Sequence, residues 1–210
     1  MKTTLNQIRD KSPCPYGWKK LLAHLGKTKA DDEAISILTI LESNGLDDAL
    51  WCLPAVTGHD REIRLYAVWC ARQVQHLLTD RRSLDALDVA ERFANGLATD
   101  KELAAARAAA WAAASAESDA AGSAAWVESD ASDASDAARA AAWAASDDAS
   151  DAARAAAWAA SDAIDAAWAA WAASDAAGSA ASDAQEKQLR GVCAEIDAAN
   201  DISILKEKNT

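Results

Sequence analysis

TDKELAAARAAAWAAA, residues 99–114, is the stretch whose reading decides the fold. Thr99 and Glu102 stand at capping-box spacing. The Thr99 hydroxyl accepts from the backbone N–H of Glu102, and the Glu102 side chain reaches back to the N–H of Thr99. From Leu103 onward alanine dominates, and alanine has the highest helix propensity of any residue. No proline follows Pro54, so nothing downstream forbids a helix. The spacing predicts a helical region that begins at residue 99 and runs, in low-complexity Ala/Ser/Asp/Trp sequence, to residue 184.

That region repeats imperfectly. SDAARAAAWAAS occurs at 135–146 and again at 150–161, an offset of 15 residues. Trp111 to Trp126 and Trp143 to Trp158 are also 15 apart, and Ser-Asp pairs recur at 11. Eleven residues make three turns and 15 make four, both slightly above 3.6 per turn, so one helix face is followed with a right-handed drift. The pattern is not a heptad. A single helix over 99–184 would be roughly 130 Å long at about 1.5 Å per residue, and it would leave Trp111, Trp126, Trp143, Trp158, Trp168 and Trp171 in water. The preferred reading is antiparallel packing, within one chain or between chains in a homo-oligomer. Gly122, Gly178 and the Ser-Asp pairs, which are good N-caps, supply the breaks.

Upstream the sequence is ordinary and reads as a small helical domain over 1–98. ADDEAISILTILES (30–43) places Ile35, Leu38, Ile40 and Leu41 at near-helical spacing, stopped by Asn44-Gly45. LDDALWCL (46–53) is a short helix ended by Pro54. In DREIRLYAVWCARQVQHLL (60–78), Ile63, Ala67, Cys70, Val74 and Leu77 form an apolar stripe, widened by Leu65, Trp69 and Leu78; Arg61, Arg64, Arg72 and Gln75 supply the wet side. Ser83 is placed to cap a helix over 83–94, ended by Asn95-Gly96. No alternating strand of useful length is evident. The expected architecture is therefore all-α: an N-terminal domain (1–98), an Ala-rich repeat region (99–184), and a C-terminal helix and tail (185–210).

Charge separates the same parts. Residues 1–103 carry 15 acidic against 14 basic side chains, and 104–184 carry 13 acidic against three basic, Arg107, Arg139 and Arg154. Most of the net charge of −12 thus belongs to the Ala-rich segment. Such a segment is repelled by phosphates, which argues against direct nucleic-acid binding; it keeps a chain dispersed or seeks a basic partner. The Ala runs are interrupted too often by Asp or Arg to span a membrane. The start, MKTTLNQIRDKS, has no apolar signal core, and Cys14, Cys52, Cys70 and Cys193 form no CxxC pair. The expectation is a cytoplasmic protein with reduced thiols.

Candidate sites each have a plainer alternative. The six Trp of the repeat region are binding anchors, since Trp is enriched in interface hot spots, or they are packing residues, the simpler role for so large an apolar side chain. The aspartates Asp130, Asp133, Asp136, Asp147, Asp148, Asp151, Asp162 and Asp165 either imitate the phosphates of nucleic acid in a partner's cleft or form a solvated face with helix caps. They lack the spacing of a calcium loop. His24, His59 and His76 are isolated, and no zinc spacing is present. Cys52 and Cys70 lie in apolar helical patterns, where a thiol behaves as a small hydrophobe. The basic residues Arg61, Arg64, Arg72, Arg81, Arg82 and Arg92 contact an acidic partner or are balanced by local acids. No catalytic motif occurs, no cofactor is implied, and the neighbourhood of Trp51, Cys52, Arg64 and Trp69 is the expected place for a pocket.

SNGLDDALWCLPAV (43–56), REIRLYAVWCARQV (61–74) and RRSLDALDVAERFANGLATDKEL (81–103), followed by the Ala/Trp/Asp/Arg tail, resemble a family of bacterial and phage immunity proteins. The resemblance spans residues 1–115. It implies neutralisation of a toxin by direct binding, and the phage setting of such proteins implies action against a host defence component. It brings no catalytic residues with it. The expected function is that of a non-catalytic binding protein with a protein partner; the alternative is a self-assembling scaffold.

Overall fold

Two short segments at the N-terminal end use the same local device. In the computed structural model, which describes residues 1–128 and 179–207 and, among these, the side chains of 1–116 and 182–199, strand β1 (Lys2–Thr4) runs directly into helix α1 (Leu5–Asp10). Strand β2 (Ala34–Ser36) runs directly into α3 (Ile37–Asn44). Each strand ends on a hydroxyl residue that caps its helix: Thr4 Oγ1 accepts from Gln7 N at 3.2 Å, and Ser36 Oγ accepts from Leu38 N at 3.2 Å. The strands pair antiparallel, Thr3 opposite Ile35, and the buried Thr3 hydroxyl donates to the Ala55 carbonyl at 2.6 Å. Ile35 is thus a strand residue, and α3 begins at Ile37 rather than near residue 30. With three residues each, the strands are too short to show alternation in the sequence.

Between them lies α2 (Pro15–His24), with Pro15 at its first position and Cys14 as N-cap, the sulfur accepting from Gly17 N at 3.3 Å. Gly45, at φ 100°, closes α3 and opens α4 (Leu46–Cys52), as Asn44-Gly45 predicts. A 3-10 turn over Leu53–Ala55 carries Pro54. Helix α5 (Asp60–Gln73) is the central element and buries Ile63, Tyr66, Ala67, Val68, Cys70 and Ala71. Arg64 is buried with them, 5% exposed, its guanidinium 4.9 Å from the Phe93 ring centroid. It does not belong to the wet face that the sequence assigns it to, because α6 (Arg81–Ala94) covers that side and offers an aromatic face to the cation.

Helix α6 begins two residues before Ser83. Asp80 is its cap, accepting from Arg82 N at 2.8 Å. Ser83 is instead buried inside the helix, and its hydroxyl has no hydrogen-bond partner among the described residues. The other arginines are balanced locally: Arg72 by Asp88 and Glu91, Arg81 by Asp85, Arg82 by Asp80, Arg92 by Glu102 and Arg61 by Glu62. This is a solvated face, and exposed pairs of this kind contribute little stability.

The predicted capping box is present: Glu102 N donates to Thr99 Oγ1 at 3.3 Å, and Thr99 N donates to Glu102 Oε2 at 2.8 Å. It opens α7 (Asp100–Glu128), which packs along α6. The final described helix, α8 (Ser179–Glu207), packs on α5 and α3. Gln185, Leu189, Cys193 and Ile196 bury along one face of it, and the Tyr66 hydroxyl donates to the Gln185 carbonyl at 3.2 Å. Arg190 reaches Glu42 of α3 at 3.7 Å. One hydrophobic core therefore includes Leu5 and Ile8 of α1, the buried side of α5, Leu103, Ala110 and Ala114 of α7, and Leu189 of α8. The core of 1–98 is completed by both ends of the sequence that follows it. Within the described residues the protein is all-α apart from the single two-stranded pairing, and no described helix is long and apolar enough to cross a membrane.

Candidate binding site

A cavity of about 260 Å³ lies among α1, α2, α3 and α4. Its wall is mostly apolar: Ile8 from α1, Trp18 and Leu21 from α2, Ile40 from α3, and Leu50 and Trp51 from α4. The PCP segment at 13–15 and the first turns of two helices shape its edge, bringing Cys14, Asp47 and Asp48 to it. Trp18 and Trp51 are each half-buried, so part of each indole belongs to the core and part is free to meet a ligand.

The polar corner of the cavity is held in place from behind. The Asn44 side-chain amide donates to Asp48 Oδ2 at 2.6 Å and to the Gly17 carbonyl at 2.9 Å, and its oxygen accepts from Ser43 Oγ at 2.7 Å. Gly17 is required by this arrangement, because a Cβ at that position would stand 2.6 Å from Asp48 Oδ2. Asp48 therefore sits in one orientation against α2. Neither Asp47 nor Asp48 has an ion-pair partner among the described residues. Lys20 comes to the same corner but donates to the Asn44 carbonyl at 3.4 Å rather than to a carboxylate.

The two cysteines of the cavity differ. Cys14 is exposed and Cys52 is buried. Burial, with the Asp48 charge adding to it, pushes the Cys52 thiol up to about 12. The Cys70 thiol, in the centre of the core, is likewise pushed up to about 12 by burial, and Cys193 is raised for the same reason. These three remain thiols at neutral pH, which for Cys52 and Cys70 fits their reading as small hydrophobes. Among the described residues no group of His, Cys, Asp and Glu is arranged to hold a metal ion.

Of the sequence-chosen neighbourhood, Trp51 and Cys52 line the cavity, while Arg64 and Trp69 belong to α5 and do not. Trp18, Asp47 and Asp48 were not singled out from the sequence. The signals were present in Pro13 and Pro15 just before Trp18, and in two acids on the first turn after Asn44-Gly45, but nothing in the sequence shows α2 facing α4. Of the Trp series, Trp111 is half-buried against the core, where it packs. The side chain of Trp126 lies outside the described residues, as do Trp143, Trp158, Trp168 and Trp171 and the aspartates Asp130, Asp133, Asp136, Asp147, Asp148, Asp151, Asp162 and Asp165. No protein-family model, no characterised protein and no solved structure matches the chain.

Proposed function

We propose that this chain is a non-catalytic binding protein that neutralises a protein partner, in toxin immunity or in phage action against a host defence component. The observation that carries the reading is the segregation of charge. The arginines of the first hundred residues, the buried Arg64 apart, have neighbouring acids, whereas 104–184 holds 13 acidic side chains against three basic ones. A large uncompensated acidic segment speeds and orients association with a basic surface, and it does so over distances longer than contact. The resemblance of residues 1–115 to immunity proteins supports the same reading.

The test is rescue. The chain is co-expressed with each of a panel of bacterial toxins and defence nucleases, and cell survival is scored. The expected result is rescue against one member by the natural sequence. A variant with Asp130, Asp133, Asp136, Asp147, Asp151 and Asp162 changed to Asn fails to rescue, and the affinity of the purified pair falls with added salt. Rescue that survives neutralisation of the six aspartates refutes the acidic surface, and turnover of a small molecule by the pure protein refutes the non-catalytic reading. The second reading, a self-assembling scaffold, is favoured by the two copies of SDAARAAAWAAS; a solution mass well above that of a dimer of the 22.0 kDa chain would support it.

A further inference from the structure

We propose that the cavity among α1–α4 is a binding site for a small organic cation, a primary amine or guanidine carried on an apolar body. Size, lining and charge each argue for this class. A dry apolar cavity of about 150 Å³ accommodates benzene; one of about 260 Å³ therefore has room for a body of roughly ten non-hydrogen atoms. Ile8, Leu21 and Leu50 offer that body an apolar wall. Trp18 and Trp51 line the same cavity, and indole is the strongest aromatic partner for a cation. At the same opening stand two carboxylates without an ion-pair partner among the described residues, one of them held by Asn44 at 2.6 Å.

The carboxylates are part of the cavity rather than bystanders on the surface. The Asp48 charge is felt by the Cys52 thiol on the cavity wall. The Asn44 bridge and the bare Cα of Gly17 hold that charge without neutralising it. Both carboxylates line the cavity without an ion-pair partner among the described residues, and Lys20, which comes to the same corner, donates to the Asn44 carbonyl instead. A bound ammonium or guanidinium supplies the missing charge. This site does not depend on the proposed macromolecular partner, and it is tested without one.

The probes are phenylbutylamine, the neutral phenylbutanol and the anionic phenylbutyrate, titrated calorimetrically into the full chain. The amine is expected to bind one per chain, the alcohol roughly tenfold or more weakly, and the carboxylate not measurably, because a hydrogen bond to a charged group is worth about a factor of ten or more in affinity. Asp47→Asn, which leaves the Asn44 bridge intact, reduces the preference for amine over alcohol, and the Asp47→Asn/Asp48→Asn double variant abolishes it while the alcohol still binds. Cys14 is the one exposed thiol among four cysteines, so phenylmaleimide attaches there and plugs the opening; binding of the amine is then lost while the helical circular dichroism is kept. Equal affinity for amine and alcohol overturns the proposal. So does amine binding that persists after Cys14 is blocked, which would place the cation on the acidic segment. Binding of a capped arginine tripeptide without binding of the free amine also overturns it, in favour of a side-chain pocket for a protein.

Discussion

Replacing Ser83 by alanine is expected to make the protein more stable. The reasoning begins with position: Ser83 lies within α6, whose cap is Asp80, so the hydroxyl performs no capping there. It is fully buried, and its oxygen has no hydrogen-bond partner among the described residues. Leaving a hydroxyl desolvated and unpaired costs about 1–3 kcal/mol, and serine is less favourable than alanine inside a helix by about 0.5 kcal/mol. Against these gains stands the small void left by one oxygen atom, worth less than about 1 kcal/mol. The net expectation is a gain of about 1–2 kcal/mol, or roughly 2–8 °C in Tm for a chain of this size. Urea unfolding followed by circular dichroism at 222 nm should show a higher midpoint at unchanged slope. A loss of stability greater than about 0.5 kcal/mol would refute the reasoning, because it would mean the hydroxyl is bonded or caps the helix after all. Asp80→Ala is the companion: it should destabilise, and the pair of opposite signs identifies which residue is the cap.

Four further outcomes follow from the same geometry. Leu189→Ala should cost about 2–5 kcal/mol, as for a fully buried leucine; a loss under about 1 kcal/mol by chemical denaturation would mean that α8 is not part of the core. Gly191→Ala, at an α8 position where a Cβ meets nothing within 4 Å, should add roughly 0.5–1 kcal/mol by helix propensity alone, and thermal unfolding reads it directly. Gly17→Ala should cost about 1–3 kcal/mol and release the Asn44 side-chain amide from its fixed environment, which would appear as a shifted side-chain resonance in nitrogen-edited NMR. The fourth concerns pH: the Arg82 guanidinium and backbone N–H hold the Asp80 carboxyl at about 2, below its ordinary 3.8. A depressed carboxyl stabilises the fold above its unfolded value and loses that contribution as pH falls through the folded one. The deficit of Asp80→Ala should therefore be constant above about pH 5 and shrink between about pH 4 and pH 2, and a deficit that grows on acidification would contradict the assignment.

Helix ends were legible in the sequence wherever a side chain or a glycine decides them. Asn44-Gly45, Asn95-Gly96 and the Thr99/Glu102 box terminate or start helices where the sequence places them. Local chemistry is enough there, since a positive φ or a cap involves only neighbours in the chain. What failed required a partner from elsewhere. Ile35 has a helical period with Leu38, yet Lys2–Thr4 arrives as a strand to pair with Ala34–Ser36. Arg64 looks like a surface residue until Phe93 is brought over it. Ser83 has the identity of a cap, but Asp80 has the position. The cavity shows the same division: Trp51 and Cys52 stand out in an apolar helical pattern, whereas Asp47 and Asp48 acquire meaning only once α2 lies against α4.

The Ala-rich region enters the fold through its N-terminal end, and the way it does so bears on what the repeat is for. On α7, Leu103, Ala110 and Ala114 are buried and Ala106 is partly so, a set spaced by three or four residues and spanning 11 from first to last, with Trp111 partly buried next to Ala110. They meet α6, whose own buried face carries Ala86 and Ala90. Alanine against alanine brings two helix axes close but removes little apolar area per residue, so the contact must be extended to be strong. Trp111 beside that seam supplies in one side chain the area that several alanines lack. The same composition, small residues along a face and an indole at wide intervals, is written again in each SDAARAAAWAAS copy. Where side chains of this composition are described, on α7, they make a helix–helix seam. Packing accounts for the buried alanines of α7 and for Trp111; that the acids of the repeat meet a partner is the proposal which the six-aspartate variant tests.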